Sequence, residues 1–532
     1  MSERSDRPHR KVAVDRSGVS SGHSTGGDHG RREGPNVSPR GDPDRLATGA
    51  STAAIPPCWW ACIRGRAVKP PRPGAERSAD PASPETSPHP ARAEDLWESF
   101  LSWENLARAL RRVEANRGAP GPDGMTVDQL RPHLNAAWPE IREKLDAGTY
   151  RPSPVRRVMI PKPGGGEREL GVPTVLDRVL QQALSQVLSP IFEPSFSDRS
   201  FGFRPGRSAH QAVEAARRAI EAGETWVVDV DLDRFFDRVS HDALMARVAR
   251  RVGDRRVLKL IRRYLDAGVM VAGVKVATAE GTPQGSPLSP LLANIMLDDL
   301  DHELERRGHT FVRYADDLRV YVASERAATR VLVGVTAFVE RRLKLKVNRV
   351  KSGVAPATRR GLLGFGFFKG NGNVKVRLDP KAKDRLKARL RRLTSRRWRV
   401  AMAVRLAALN RFLGGWSAYF ALAETPSVFD EFDEWLRRRL RQVRWKEWKR
   451  FAARRRNLRA LGIPDWQARQ WAASRKGYWR LSGSAPLQRA LPNRYWADLG
   501  LVPISDRTRR LRERWRTAGC GPARPVVWEG AV

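Results

Sequence analysis

The chain has 532 residues, room for several domains, and sets 98 Lys plus Arg against 58 Asp plus Glu, a formal net charge of +40. An excess of that size implies a polyanionic partner, nucleic acid first. There is no 18-residue apolar run, lipidation motif or signal-peptide core, which argues against a membrane, and three cysteines (Cys58, Cys62, Cys520) build no disulfide framework and suit a reducing cytoplasm.

Residues 1–95 are rich in Ser, Gly, Pro, Arg and Asp with almost no apolar periodicity, so they read as a disordered basic tail. Leu96, Phe100, Trp103, Leu106 and Leu110 recur at helical spacing and predict one amphipathic helix. The Gly- and Pro-dense stretch Asn116–Met125 predicts a structured loop. Residues 156–173 read as strand, Gly hairpin, strand, with Lys162 and Arg168 on opposite arms. Two fixed cations there suit a triphosphate. A helix capped by Asp177 follows. Arg204 and Arg207, interleaved with Phe201 and Phe203, fit a grip on a nucleic-acid strand. His210 has no acid partner nearby and reads as a packing or phosphate-contact residue.

The stretch Trp226–Asp237 places Asp229, Asp231 and Asp233 on one face of a strand by alternation, with Val228, Val230 and Leu232 on the other. Acids on a strand that otherwise wants burial need a cation or a basic partner. Residues 281–295, beginning Gly281-Thr282-Pro283-Gln284-Gly285-Ser286, predict a rigid loop whose backbone approaches a ligand, then a helix capped by Ser286 or Ser289. Phe311–Tyr321 reads as strand, tight turn, strand, with Asp316 and Asp317 in the turn. Adjacent carboxylates repel each other, and a hard divalent cation such as Mg²⁺ resolves the repulsion. Two separate acidic segments converging on shared ions is the requirement of two-metal phosphoryl transfer. Residues 343–352 alternate as a strand ending in Lys351, placed to protonate a leaving group or hold a triphosphate, or simply to face solvent. Beyond about 380 the pattern turns to long basic helices, in which Trp435, Trp445 and Trp448 alternate with arginines including Arg437, Arg438 and Arg441; these suit stacking and phosphate contact with structured RNA.

Taken in this order, the segments from about Asn116 to Leu501 resemble the group II intron reverse transcriptases, also called intron-encoded maturases. The Tyr314-Ala315-Asp316-Asp317 box is that family's polymerase signature, and Asp231 matches its first palm aspartate. The resemblance implies an α+β right-hand polymerase fold. It assigns 1–95 to the tail, 96–225 to an N-terminal extension and fingers, 226–370 to the palm, 371–505 to a helical thumb and maturase domain, and 506–532 to a short tail. It implies two Mg²⁺ ions held by Asp231, Asp316, Asp317 and the Leu232 carbonyl. It further implies dNTP contacts from Lys162, Arg168, Gln284, Gly285 and Lys351, and places Phe236 beside the sugar 2′ position to select deoxynucleotides. Its partners would be intron RNA, an RNA template with DNA primer, dNTPs and a DNA target, in the bacterial cytoplasm near the nucleoid. With only Cys520 and no His cluster near the end, no homing endonuclease is expected. Rival readings are a splicing-only RNA-binding maturase, an RNA-dependent RNA polymerase, and a reverse transcriptase recruited to host defence or repair.

Overall fold

The computed structural model describes residues 96–161, 166–271, 274–276, 281–282 and 285–517. Lys162, Gln284, the three cysteines and the stretches 1–95 and 518–532 lie outside them.

The N-terminal periodicity resolves into two helices rather than one. Ser102 accepts a hydrogen bond from Asn105 N through its side chain, so it ends α1 (Leu96–Phe100) and caps α2 (Trp103–Asn116). A loop leads to α3 (Val127–Asp146), opened by a Thr126–Gln129 capping box. The expected hairpin is β1 (Val155–Pro161) and β2 (Glu167–Val172), antiparallel with Ile160 opposite Arg168. Helix α4 (Val175–Phe192) is capped by Thr174, not by Asp177. Asp177 is buried in the first turn, where it accepts from the Tyr150 hydroxyl at 2.8 Å and the Thr174 hydroxyl at 2.7 Å.

Helix α5 (Ala209–Glu221) precedes β3 (Trp226–Val230), and α6 (His241–Ala249) and α7 (Arg255–Asp266) follow it. Short strands β4 (Val269–Val271) and β5 (Val274–Val276) complete a fingers sheet in the order β2-β1-β4-β5. Then come α8 (Ser289–Arg306), β6 (Thr310–Tyr314), β7 (Asp317–Val322), α9 (Glu325–Arg341) and β8 (Gly353–Pro356). The second sheet runs β6-β7-β3-β8, with every neighbouring pair antiparallel. Its two faces are covered differently. Val228 and Val230 of β3 join an apolar core with α2, α4 and α8, while Val227 and Tyr321 join a second core that continues into the C-terminal helices.

The hairpin β9 (Phe365–Gly370) and β10 (Asn373–Leu378) leads to α10 (Pro380–Leu393), α11 (Met402–Phe420) and α12 (Pro426–Glu447), and shorter helices follow. The tryptophans Trp416, Trp445, Trp448 and Trp496 are buried among these helices. The expected short tail from 506 is instead the body of a helix, Ile504–Thr517, which the sequence reading missed because its mean composition is strongly charged. It is held at its start by Asp433 of α12, which accepts from Ile504 N at 2.8 Å and Ser505 N at 2.9 Å.

Candidate active site

β3 ends at Val230, so the expected alternation through Asp233 does not hold. Arg234 takes a left-handed φ of 49°, and a 3₁₀ turn over Phe235–Asp237 follows. The turn sends Asp233 to Arg238 at 3.0 Å, away from the other acids. Asp229 stays on the strand but is neutralised by Arg319 and Arg360, each 3.5 Å from its Oδ2. Asp231 sits one residue past the Val230↔Leu318 pair of β3 with β7. The same register carried one step further sets it across from Asp317.

Asp316 and Asp317 come from the two-residue turn that joins β6 to β7, closed by the Tyr314↔Asp317 pair. Ala315 has φ 57° while Asp316 does not, the pattern of a type II′ turn. Burial and the neighbouring Asp316, together with Asp229 and Asp231, push the Asp317 carboxyl up to about 6, against the pull of Arg319. The residue remains open to solvent, as a carboxylate in a crowded cleft would be. Asp231 is raised as well, by burial first and by Asp316 and Asp229, while Lys351 pulls it down. Among the described residues no three His, Cys, Asp or Glu side chains already enclose an ion-sized space. The donors nevertheless fit a hard divalent cation: three carboxylates stand together and, among the described residues, only Lys351 and Arg319 offset them.

The segment expected as a strand over 343–352 is irregular. Lys344 is left-handed at φ 57°, and only Val347 bridges, to Leu232. Asp233 N donates to Lys346 O and Asn348 N to Asp231 O, each at 2.8 Å. These two bonds flank the Leu232–Val347 bridge and tie the segment after β3 to the 346–348 chain. Ser352 accepts from Asp231 N at 2.9 Å, and Lys351 Nζ stands 3.5 Å from Asp231 Oδ1.

Phe236 is buried against Phe235, with ring centroids 5.1 Å apart, and its carbonyl accepts from Thr282 N at 2.6 Å. Gly281 N donates to Val239 O, and its carbonyl meets His241 Nε2 at 2.7 Å. Gly285 is left-handed at φ 106°, and a Cβ there would come within 3.0 Å of Gly171 O on β2. The loop thus joins the Phe236 turn to the fingers hairpin, where Arg168 is exposed. Helix α8 is capped neither by Ser289, which is its first residue, nor fully by Ser286, which accepts from Leu288 N at 3.3 Å.

Two arginines assigned to a nucleic-acid grip are spent inside the protein. Arg204 is buried, paired with Glu193 and hydrogen-bonded to Ser200 O at 2.9 Å. Arg441 is buried with its Nε on Ser482 O at 2.9 Å. Arg207 pairs with Asp198, Arg438 lies over the Trp479 ring at 4.0 Å, and Arg437 is half-buried. His210 is a packing residue: its Nε2 meets Tyr419 O at 2.6 Å and its ring lies among Phe365, Tyr419 and Trp515. Sequence reasoning passed over Arg313, Asp301, Asn294 and Gly202, which surround the acidic turn from below. The signal was present: a lone arginine between Val312 and Tyr314 of a buried strand demands a buried partner.

An antiparallel sheet carrying paired acids at a hairpin tip and a further acid after the neighbouring strand is the arrangement of a polymerase palm. Residues 160–367 match the family described as reverse transcriptase (RNA-dependent DNA polymerase), and residues 383–462 match the group II intron maturase-specific domain. The two matches, in this order, make the chain similar to the group II intron reverse transcriptases with their maturase domain, and its α+β fold is followed by a helical region. It is 41% identical over 210 residues to Protein YkfC of Escherichia coli (strain K12), covering 38% of this chain and 55% of that protein. It is 38% identical over 194 residues to the group II intron-encoded protein LtrA of Lactococcus lactis subsp. cremoris, covering 36% of this chain and 32% of LtrA. A third relative is the putative COX1/OXI3 intron 1 protein of Saccharomyces cerevisiae, 33% identical over 204 residues, covering 38% of this chain and 24% of that protein. The matched segment thus spans from about a quarter to about half the length of these relatives. Among the described residues no helix is long and apolar enough to cross a membrane.

Proposed function

We propose that the chain is an RNA-directed DNA polymerase of a group II intron, and that it also binds the intron RNA and assists its splicing and mobility. The observation that carries the reading is that Asp231, just past β3, stands close enough to the acidic turn of the neighbouring hairpin for Asp316 to raise it, as Asp316 and Asp231 raise Asp317. These carboxylates and the Leu232 carbonyl would hold two Mg²⁺ ions. When bound, the ions supply the charge that makes the primer 3′-hydroxyl nucleophilic and stabilises the leaving pyrophosphate.

The chain's own residues do the rest. Lys162 and Arg168 hold the triphosphate, and Lys351 stands beside Asp231 to hold or protonate the departing pyrophosphate. The ring of Phe236 closes the space beside the sugar 2′ carbon, so a ribonucleotide hydroxyl would clash. Gln284 and Gly285 lie under the new base pair. Arg207 contacts the template, and Arg437 and Arg438 with the basic helices after 380 contact intron RNA phosphates. Template, primer, dNTPs, intron RNA and a DNA target are the partners, in the bacterial cytoplasm at the nucleoid.

Primer extension tests the reading. Purified protein should copy poly(rA) from an oligo(dT) primer with Mg²⁺ and dTTP, and Asp231→Asn should remove the activity. A protein that binds intron RNA tightly yet extends no primer would leave a splicing maturase instead.

A further inference from the structure

The acidic turn is built on a non-glycine residue in a left-handed conformation, which costs about 1–3 kcal/mol and persists only where the surroundings impose it. Here they do. Arg313 and Asp301 form a fully buried ion pair, with Arg313 Nε 2.7 Å from Oδ1 and Nη2 2.5 Å from Oδ2. The pair leaves Arg313 Nη1 to donate to two oxygens, each at 2.9 Å: Asn294 Oδ1 and the carbonyl of Ala315. Asn294 in turn donates to Gly202 O at 2.9 Å. Asn294 and Asp301 are seven residues apart on α8 and so share one face.

Gly202 closes the other side. Its segment runs along β6, with Phe201 N donating to Arg313 O at 2.8 Å and Arg313 N donating to Arg199 O at 3.0 Å. A Cβ at Gly202 would collide with Ala315 N and come within 2.8 Å of the Tyr314 carbonyl carbon. The Ala315 carbonyl belongs to the central peptide of the turn. Rotating that peptide is what interconverts type II′ and type I′, and it would swing Asp316 with it.

We propose that Asn294, Arg313 and Asp301 are positioning residues that lock the central peptide of the Ala315–Asp316 turn and thereby set the divalent-cation affinity of Asp316 and Asp317. The inference rests on the reading of these acids as a cation site. The lock works through the direction of one carbonyl, so it is more demanding than a charge balance. Arg313→Lys keeps a cation for Asp301 but lacks the planar fork that reaches Asn294 and Ala315 together. Asn294→Ala keeps the ion pair whole and removes the partner that aims Nη1.

The test uses the full chain with both variants. Mn²⁺ binding is followed by electron paramagnetic resonance without nucleotide, and extension of oligo(dT) on poly(rA) is followed against Mg²⁺ concentration. Both variants should weaken Mn²⁺ binding about tenfold, raise the half-saturating Mg²⁺ by a similar factor, and lower kcat by about 10–100-fold, the scale of a misplacement near 1 Å. Their KM for dTTP, their affinity for primer–template and their cooperative melting should stay near those of the unaltered protein. Unchanged Mn²⁺ binding and kcat in Asn294→Ala overturn the lock. Equal losses of cation, primer–template affinity and melting cooperativity also overturn it, because they mark a folding role. An unaltered protein that neither binds Mn²⁺ nor extends a primer overturns the cation-site reading itself.

Discussion

Lys351 holds its ammonium 3.5 Å from Oδ1 of Asp231, on a loop whose backbone is tied to the same aspartate through Asn348 and Ser352. The lysine is otherwise exposed, with 64% of its side chain accessible. A cation on a flexible stem therefore stands where Asp231 would meet a metal ion or a substrate phosphate. In the proposed reading Asp231 would hold a divalent cation in place of this ammonium, which would leave Lys351 free to turn toward a substrate phosphate. Lys351→Ala should lower single-nucleotide incorporation by about 10²-fold, the usual contribution of a positioned proton donor, without weakening cation binding. Rapid-quench incorporation with Lys351→Ala and Lys351→Arg measures this, and equal rates in all three proteins would make Lys351 a bystander.

Asp317 carries a definite pH signature. Its carboxyl is moved from 3.8 to about 6, by burial first and then by Asp316, Asp229 and Asp231. A carboxyl with a raised folded-state pKa binds its proton more tightly when folded. That contribution favours the fold at low pH and is lost as pH rises from 3.8 through about 6. Cation binding runs the other way, because the proton and the metal compete for one carboxylate. The Mg²⁺ concentration needed for extension should therefore rise as pH falls through about 6, and Asp317→Asn should remove that limb. Extension measured against Mg²⁺ at several pH values decides it.

The sequence displayed the acids but not what surrounds them. Asp231, Asp316 and Asp317 stand out because a carboxylate in an apolar strand is expensive, and the structure brings them together. Asp233 looked equivalent by alternation, but β3 ends at Val230 and the chain turns off through Arg234. Arg204 and Arg441 looked like surface cations; only tertiary packing shows Glu193, Ser200 and Ser482 consuming them. The strand expected around Val347 depended on a pairing with Leu232 from more than a hundred residues away. Composition cannot reveal such long-range partners, whereas the local alternation on either side of the Gly164–Gly166 stretch was sufficient for β1 and β2.

Phe236 offers a substrate test, read beside the melting of the variant because the ring is also part of the first apolar core. Its ring packs on Phe235 in the 3₁₀ turn just past Asp231, and its carbonyl is fixed by Thr282. If Phe236 is the proposed gate, Phe236→Ala opens the space beside the sugar without altering the acids. Discrimination against ribonucleotides should fall by about 10–200-fold, the scale of a small steric pocket change, while dNTP incorporation changes little. Competing dTTP and UTP at one template position reads the ratio directly, and unchanged sugar selection would remove the gate from Phe236.

The C-terminal helix makes the last prediction, and it concerns stability rather than chemistry. Asp433 is buried on α12 and accepts Ile504 N, Ser505 N and the Ser505 hydroxyl, all within 2.9 Å. These are the first donors of a helix that also reaches back to α11, where Arg512 Nε donates to Ala421 O at 2.8 Å. An alanine at 433 leaves the buried Ile504 amide and the partly exposed Ser505 amide without an acceptor at a helix start. The loss should be about 2 kcal/mol, at the upper end for a cap, because the Ile504 amide cannot turn to water. The fold of the palm should persist, since Asp433 lies in the second apolar core's helical end and touches none of the acids. Hydrogen exchange of Asp433→Ala should therefore show faster opening confined to Ile504–Thr517 and the adjoining faces of α11 and α12. Exchange that quickens equally across β3, β6 and β7 would instead mean that the terminal helix braces the whole polymerase.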